Sequence, residues 1–213
     1  MLKLNTFNLI LKRIICVIAI IATIVVAIFA MFYMVFIPTV VRGTSMQPTL
    51  NIEAVSSDDL GENIYINRLA KCKVNDIVVA YVKDYNIETS SGYIIKRLIA
   101  REGDCVDIKL NPDTIEYDLL INGKVLYSRQ YQNNYTTVAN FASYKNNLQD
   151  KSKLTEQGLK LGKGEVFLLG DNWTTSADCS LYGPLKSKSL IGRVDIIVDK
   201  GENDFIKILK TIF

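Results

Sequence analysis

Histidine is absent from all 213 residues. That removes the Ser–His–Asp triad, the Cys–His dyad and the commonest zinc ligand together, so any proton shuttle must use Lys, Asp, Glu, Tyr or Cys. Cysteine is scarce: Cys16, Cys72, Cys105 and Cys179 show no CxxC spacing, which argues against a metal knuckle or a redox pair. A Cys72–Cys105 bridge stays open beside the free-thiol reading. An excess of one charge is also missing. The 25 basic and 22 acidic residues leave +3, and no basic stripe carries interleaved aromatics, so nucleic-acid binding finds no support.

What the chain does have is one long apolar run. From Ile14 to Ile37 no charged residue occurs, about 24 residues against the ~20 that a helix needs to cross a bilayer core. Ile18, Ile20, Ile21, Val25 and Val26 would be poor helix formers in water, but in lipid the backbone must satisfy itself, and helix wins. Phe29, Phe32, Tyr33 and Phe36 crowd the far end, with Tyr33 suited to an interface. A cleavable leader would have an apolar core of about 7–15 residues and a small-residue cut site; Phe36-Ile37-Pro38-Thr39 is no such site. Lys3, Lys12 and Arg13 precede the run and Arg42 follows it. The positive-inside rule then predicts a cytoplasmic N-terminus and an outer domain beyond about residue 40.

The outer part reads as short strands between turns: Ile64–Asn67, Asp76–Lys83, Tyr93–Ala100, Cys105–Leu110, Tyr117–Ile121, Glu165–Leu169 and Ile191–Val198. Asn122-Gly123 signals a two-residue hairpin. Nothing has βαβ spacing, so the expected fold class is mainly β, an antiparallel domain behind one N-terminal transmembrane helix. The stretch 111–163 turns rich in Asn, Lys, Tyr and Gln and reads as a small inserted lobe. The expected organisation is 1–13 cytoplasmic, 14–37 anchor, 38–110 catalytic core, 111–163 insert and 164–213 core completion. Phe205–Phe213 alternates apolar residues and lysines at helical spacing, as a packed helix or a membrane-surface one would.

Three segments carry chemistry. Gly43-Thr44-Ser45-Met46-Gln47-Pro48-Thr49-Leu50 sets a serine in a bent loop between a permissive Gly and a φ-fixing Pro; alone, such a loop is simply a turn. In Tyr93–Ala100, strand alternation puts Lys96 on one face with Ile94, Leu98 and Ala100. Burial there would lower the lysine pKa, and a neutral amine can take a serine proton; the alternative is a lysine that snorkels or pairs with a carboxylate. Arg97 points the other way and reads as structural. The third segment, Gly170–Pro184, is dense in short polar side chains; Ser176 is the best candidate there to orient Lys96, and by itself the segment is simply a polar turn.

In this order, behind an anchor, the three segments resemble the bacterial type I signal peptidases (leader peptidases). The family pattern of S-M-x-P-T-L, then K-R with a following G-D, then G-D-N-x-x-x-S-x-D is met by Ser45–Leu50, by Lys96-Arg97 with Gly103-Asp104, and by Gly170-Asp171-Asn172 with Ser176 and Asp178. The resemblance covers about 8–110 and 164–200. It implies Ser45 as nucleophile and Lys96 as general base. Ser176 would hydrogen-bond the lysine, while Gly43, Asp171, Asn172 and Asp178 would support the site and its oxyanion hole. Asn75–Tyr81 resembles the family's strand beside the substrate groove, so Ile77, Val79 and Tyr81, with Met46 and Pro48, are the implied substrate-binding residues. Gly43 stands where some members carry a second oxyanion hydroxyl. Trp173 and Ser180 stand where arginines are common; backbone N–H groups are expected to serve Asp178 in place of the second.

The activity implied is removal of signal peptides from exported preproteins at the export machinery, at the bilayer surface of the cell membrane, with no metal, cofactor or nucleic acid. The precursor would add its cleavage segment to a strand edge, small residues filling shallow pockets. A self-cleaving repressor-type protease, a silent tethered β module and a peptidase specialised for one substrate are the alternatives.

Overall fold

The computed structural model describes residues 2–56, 58–83, 92–130, 135–204 and 207–208. It divides into two compact units that meet at Ile37–Pro38.

The N-terminal unit is helix α1, Leu2–Val35. Its segment Leu9–Val35 is the one described helix long and apolar enough to cross a membrane; 27 residues at 1.5 Å each give about 40 Å. Its apolar side chains, such as Ile18 and Val26, are exposed, as a lipid-facing surface requires. The helix begins well before Ile14 and stops two residues short of Ile37. Pro38 explains the stop: it has no N–H to give a helix and pushes the preceding residue into extended conformation. Strand β1, Phe36–Arg42, starts there.

The second unit holds two antiparallel sheets. The first contains β1, β2 (Leu60–Asn67), β3 (Ile77–Tyr81), β4 (Tyr93–Arg101), β10 (Glu165–Leu169), β11 (Leu185–Lys186) and β12 (Leu190–Val198), in the order β1-β2-β12-β3-β4-β10-β11. The last strand in sequence thus lies between β2 and β3. The second sheet contains β5 (Cys105–Asn111), β6 (Glu116–Ile121), β7 (Lys124–Gln130), β8 (Leu154–Thr155) and β9 (Gly158–Lys160), in the order β7-β6-β5-β9-β8. Asn122 (φ 54°) and Gly123 (φ 76°) both sit in the left-handed region, the geometry that the Asn-Gly hairpin signal demands.

All seven strands expected from the sequence form, with ends moved by a few residues. Cys105–Asn111, however, pairs with β6 and β9 and so opens the second sheet instead of closing the first. Alternation along a strand says which residues share a face, not which sheet they join. One core spans both sheets: Val78, Leu98 and Phe167 from the first meet Val106 and Leu119 from the second.

Helix α2, Thr136–Asn147, was not legible in the Asn- and Tyr-rich insert. Tyr135 at its N-cap gives no side-chain cap, and Thr, Asn and Tyr are weak helix formers. Packing holds it instead: Phe141 is fully buried and meets Phe167 edge-on at 5.6 Å. Lys145 Nζ also reaches the buried Asp107 carboxylate at 2.5 Å. All four cysteines are free, so the Cys72–Cys105 bridge is not made. Of the C-terminal segment, residues 205, 206 and 209–213 lie outside the described residues.

Candidate active site

Ser45 sits in the loop after β1, and that loop is pinned from several sides. Gly43 adopts φ 78°, a conformation that costs a side-chain-bearing residue about 1 kcal/mol or more. Its N–H donates to Asp59 O (3.2 Å), so it is not available as a second oxyanion donor. Asn51 Nδ2 donates to Gly43 O and Asp59 O, while Gln47 Nε2 donates to the carbonyls of Asn51, Ile52 and Ala54. Thr49 and Leu50 N–H both donate to Met46 O. Met46 is 1% exposed. It therefore anchors the loop in the core and lines no groove, contrary to the expectation from its motif position. Pro48 is exposed, beside Gln47.

Lys96 is on β4, opposite Val78 of β3, and is 4% exposed. Its Nζ is hydrogen-bonded to Ser45 Oγ, a contact that joins chain positions 51 residues apart. Burial is the main cause that lowers the Lys96 pKa from 10.5 to about 8; the nearby Asp178 carboxylate, and further off Asp171, pull the other way. Cys179 lies close too, but burial pushes its thiol far upward, so at neutral pH it brings no charge to the lysine. An amine held near 8 is unprotonated in a substantial fraction at physiological pH, which a solvated lysine is not.

The third segment closes the site from behind. Asp178 is fully buried and accepts four hydrogen bonds: Gly170 N–H (2.9 Å), Ser176 Oγ (2.5 Å), Ser180 N–H (3.0 Å) and Ser180 Oγ (2.7 Å). Two backbone donors and two hydroxyls do what an arginine would do, and Ser180 supplies one of each. Ser176 differs from expectation. Its hydroxyl donates to Asp178 instead of meeting Lys96, because the carboxylate two residues on is the stronger acceptor within reach. Its influence on the lysine passes through that anion. Ser176→Ala removes one of four donors and is expected to cost about 1–2 kcal/mol of stability; it should lower turnover only severalfold. Chemical denaturation alongside kcat/KM checks both.

Asp171 and Asn172 bind this segment to the serine loop. Arg97 grips Asp171 through Nε (2.8 Å) and Nη2 (2.6 Å), and Thr49 Oγ1 donates to the same carboxylate at 2.5 Å. Arg97 Nη1 also donates to Asn75 O. Asn172 N–H donates to Ser45 O (3.0 Å) and its Nδ2 to Thr44 O (3.1 Å). Ser45 N–H itself donates to no described residue, which leaves it free for a developing oxyanion. Gly170 makes this assembly possible: a Cβ there would lie 2.2 Å from Ser176 Oγ and 2.4 Å from Ser45 O.

Ile77, Val79 and Tyr81 fall on β3, which is paired along one edge with β12 and along the other with β4. No incoming strand can add there. The open edge belongs to β4: its pairing with β10 ends at Arg97, and no described strand pairs with Ile94–Ile95 on that side, immediately before Lys96. Among the described residues no three His, Cys, Asp or Glu side chains cluster to hold a metal ion.

A family model described as signal peptidase, peptidase S26, matches residues 12–198. Signal peptidase I T of Bacillus subtilis (strain 168) is 31% identical over 147 residues, which cover 67% of this chain and 63% of that protein. The thylakoidal processing peptidase 1 of Arabidopsis thaliana is 28% identical over 166 residues, 73% of this chain and 40% of that one. The chain thus spans less than two thirds of the length of either relative. A crystal structure of a signal peptidase I from Enterococcus faecalis is 25% identical and covers 58% of this chain and 97% of that chain, with a TM-score of 0.35.

Proposed function

The chain belongs to the signal peptidase family, peptidase S26, and on that premise we propose that it is a membrane-anchored serine endopeptidase that removes N-terminal signal peptides from exported preproteins. The observation that carries this reading is the Lys96 amine, buried, held near pKa 8 and hydrogen-bonded to the Ser45 hydroxyl.

The mechanism follows from those atoms. The precursor adds its extended segment to the open edge of β4 at Ile94–Ile95, by main-chain hydrogen bonds. Neutral Lys96 takes the Ser45 proton as Oγ attacks the scissile carbonyl carbon. The oxyanion that forms receives the free Ser45 N–H. The C–N bond then breaks, and the Lys96 ammonium gives its proton to the leaving amine, which departs as the new N-terminus of the mature protein. Water enters, Lys96 takes one of its protons, and the resulting hydroxide attacks the ester. Ser45 Oγ leaves and recovers a proton from Lys96. Asp178 steadies the ammonium in both halves; Asp171, Arg97 and Asn172 keep serine and lysine in register.

Helix α1 supplies the anchor. Lys3, Lys12 and Arg13, on the N-terminal side of its uncharged run Ile14–Ile37, against Arg42 after that run, favour a cytoplasmic N-terminus and a β unit outside the cell membrane. There the partners are the lipid surface and preproteins leaving the export machinery.

The full-length protein in detergent is expected to cut a signal-bearing precursor at one site, with kcat/KM rising as pH passes through about 8. The sign follows from Lys96 acting as a base: its reactive form is the deprotonated one, so activity is lost on the acid side. A profile that stays flat between about pH 6 and 9 removes Lys96 as the base, because a base of that pKa must titrate within the window.

A further inference from the structure

A cavity of about 570 Å³ opens against the nucleophile loop, two residues past Ser45, and takes no part in the steps above. Gln47 and Pro48, just past the nucleophile, form one wall; Asn172, Trp173 and Thr174, from the segment that holds Ser45 O, form another; Arg129 of β7 and Tyr135 close it from the insert. None of its lining comes from β1 or from the open stretch of β4.

We propose that this cavity binds the first residues after the cut, and that Arg129 gives it a preference for an acidic side chain there. The inference rests on the peptidase reading: with the segment before the cut on the β4 edge, the leaving half is what remains to be housed. The cavity shares its wall with the nucleophile loop and nothing with that edge.

Charge sets the preference. Asp171 borders the cavity, but its carboxylate is taken by Arg97 and Thr49. Arg129 makes no ion pair with a described residue. Its guanidinium lies over two neighbouring rings, 5.7 Å from the centroid of Tyr127 and 5.5 Å from that of Trp173. Such stacking positions the cation without neutralising it. Its Nε is buried with no acceptor, and so is Nε1 of Trp173, which is 1% exposed. Both atoms are sealed from solvent, so the outer nitrogens of the guanidinium are the donors that an incoming carboxylate would meet. A carboxylate fits a guanidinium fork and can engage two donors at once. The amides of Gln47 and Asn172 and the hydroxyl of Thr174 supply the mixed donors and acceptors that an extended backbone needs.

The test uses full-length protein in detergent and peptides that differ only in carrying Glu, Gln or Lys at the first, second or third position after the cut. The Glu peptide is expected to be cut with about tenfold higher kcat/KM than its Gln partner at one of those positions. The advantage should shrink in about 0.5 M salt. Arg129→Gln should bring the Glu/Gln ratio close to one, and Arg129→Glu should turn the preference toward the Lys peptide, an inversion that loss of folding cannot produce. Equal cleavage of Glu and Gln peptides by the wild type, or an unchanged ratio in Arg129→Glu, overturns the assignment while leaving the peptidase reading intact. If the wild type cuts none of the peptides, the peptidase reading fails and this one fails with it.

Discussion

Lys96→Met is expected to abolish precursor cleavage, by a factor of about 10⁴ or more, and at the same time to stabilise the protein at pH 7. The two outcomes have one cause. In the wild type a charged amine must be kept in a site that is almost wholly buried, and burial lowers its pKa from 10.5 to about 8. Below pH 8 both folded and unfolded chains carry the proton, so the folded state bears the full penalty. Between about 8 and 10.5 the unfolded chain still binds the proton and the folded one does not, so stability rises with pH across that window. Methionine has similar length and no charge, and removes a penalty of up to about 3 kcal/mol at pH 7. Denaturation of both proteins at pH 7 and at pH 10 checks the argument: the advantage of the variant should shrink toward the alkaline end. An inactive variant that is also less stable at pH 7 would mean that the lysine is held by pairing, and that the desolvated-base account is wrong.

Gly170→Ala is expected to cut kcat/KM by about 10² or more and to destabilise the fold by about 1–3 kcal/mol, although residue 170 touches no substrate. The added methyl would meet Ser176 Oγ at 2.2 Å and the Ser45 carbonyl oxygen at 2.4 Å. The hydroxyl can turn away, but the Ser176 Cβ at 2.7 Å cannot, and the backbone oxygen cannot move without carrying Ser45 with it. Gly103 provides the contrast. Nothing lies within 4 Å of the position its Cβ would take, but its φ is +87°. Gly103→Ala should therefore cost about 1 kcal/mol of backbone strain and leave cleavage close to wild type. Comparable losses of turnover in the two variants would show that Gly170 acts through general stability and not through the position of the nucleophile.

Legibility in the sequence followed the range of the physics involved. Lys96 was readable because strand alternation is local, and apolar neighbours at i±2 already imply a dry environment. Ser45 was readable because its loop is built from residues adjacent in sequence. The same reasoning failed where the deciding contact is remote. The motif pattern pairs Ser176 with the lysine, but Asp178, two residues on, takes its hydroxyl. Met46 was assigned to the groove because it sits in the nucleophile box, yet box membership does not say where a side chain points, and this one points into the core. Ile77–Tyr81 is legible as strand, but periodicity does not count neighbours, and β3 is paired along both edges. The Arg97–Asp171–Thr49 cluster joins three distant segments and left no local trace. Helix α2 escaped because its stability comes from Phe141 against Phe167, not from its own propensities.

The position of β12 has a bearing on how such a chain is born. Strands β1 and β2 carry the serine loop, β3 and β4 carry the lysine, and in the sheet these two pairs are joined only through residues 190–198 between them. While a nascent polypeptide is still emerging, hydroxyl and amine ride on two ribbons with no shared hydrogen-bond ladder, and the clamp from Asp171 to Thr49 has yet to arrive across 122 residues. Helix α1 is made first, but the meeting of Ser45 and Lys96 on one sheet waits for residues 190–198, so a half-made molecule has no dyad.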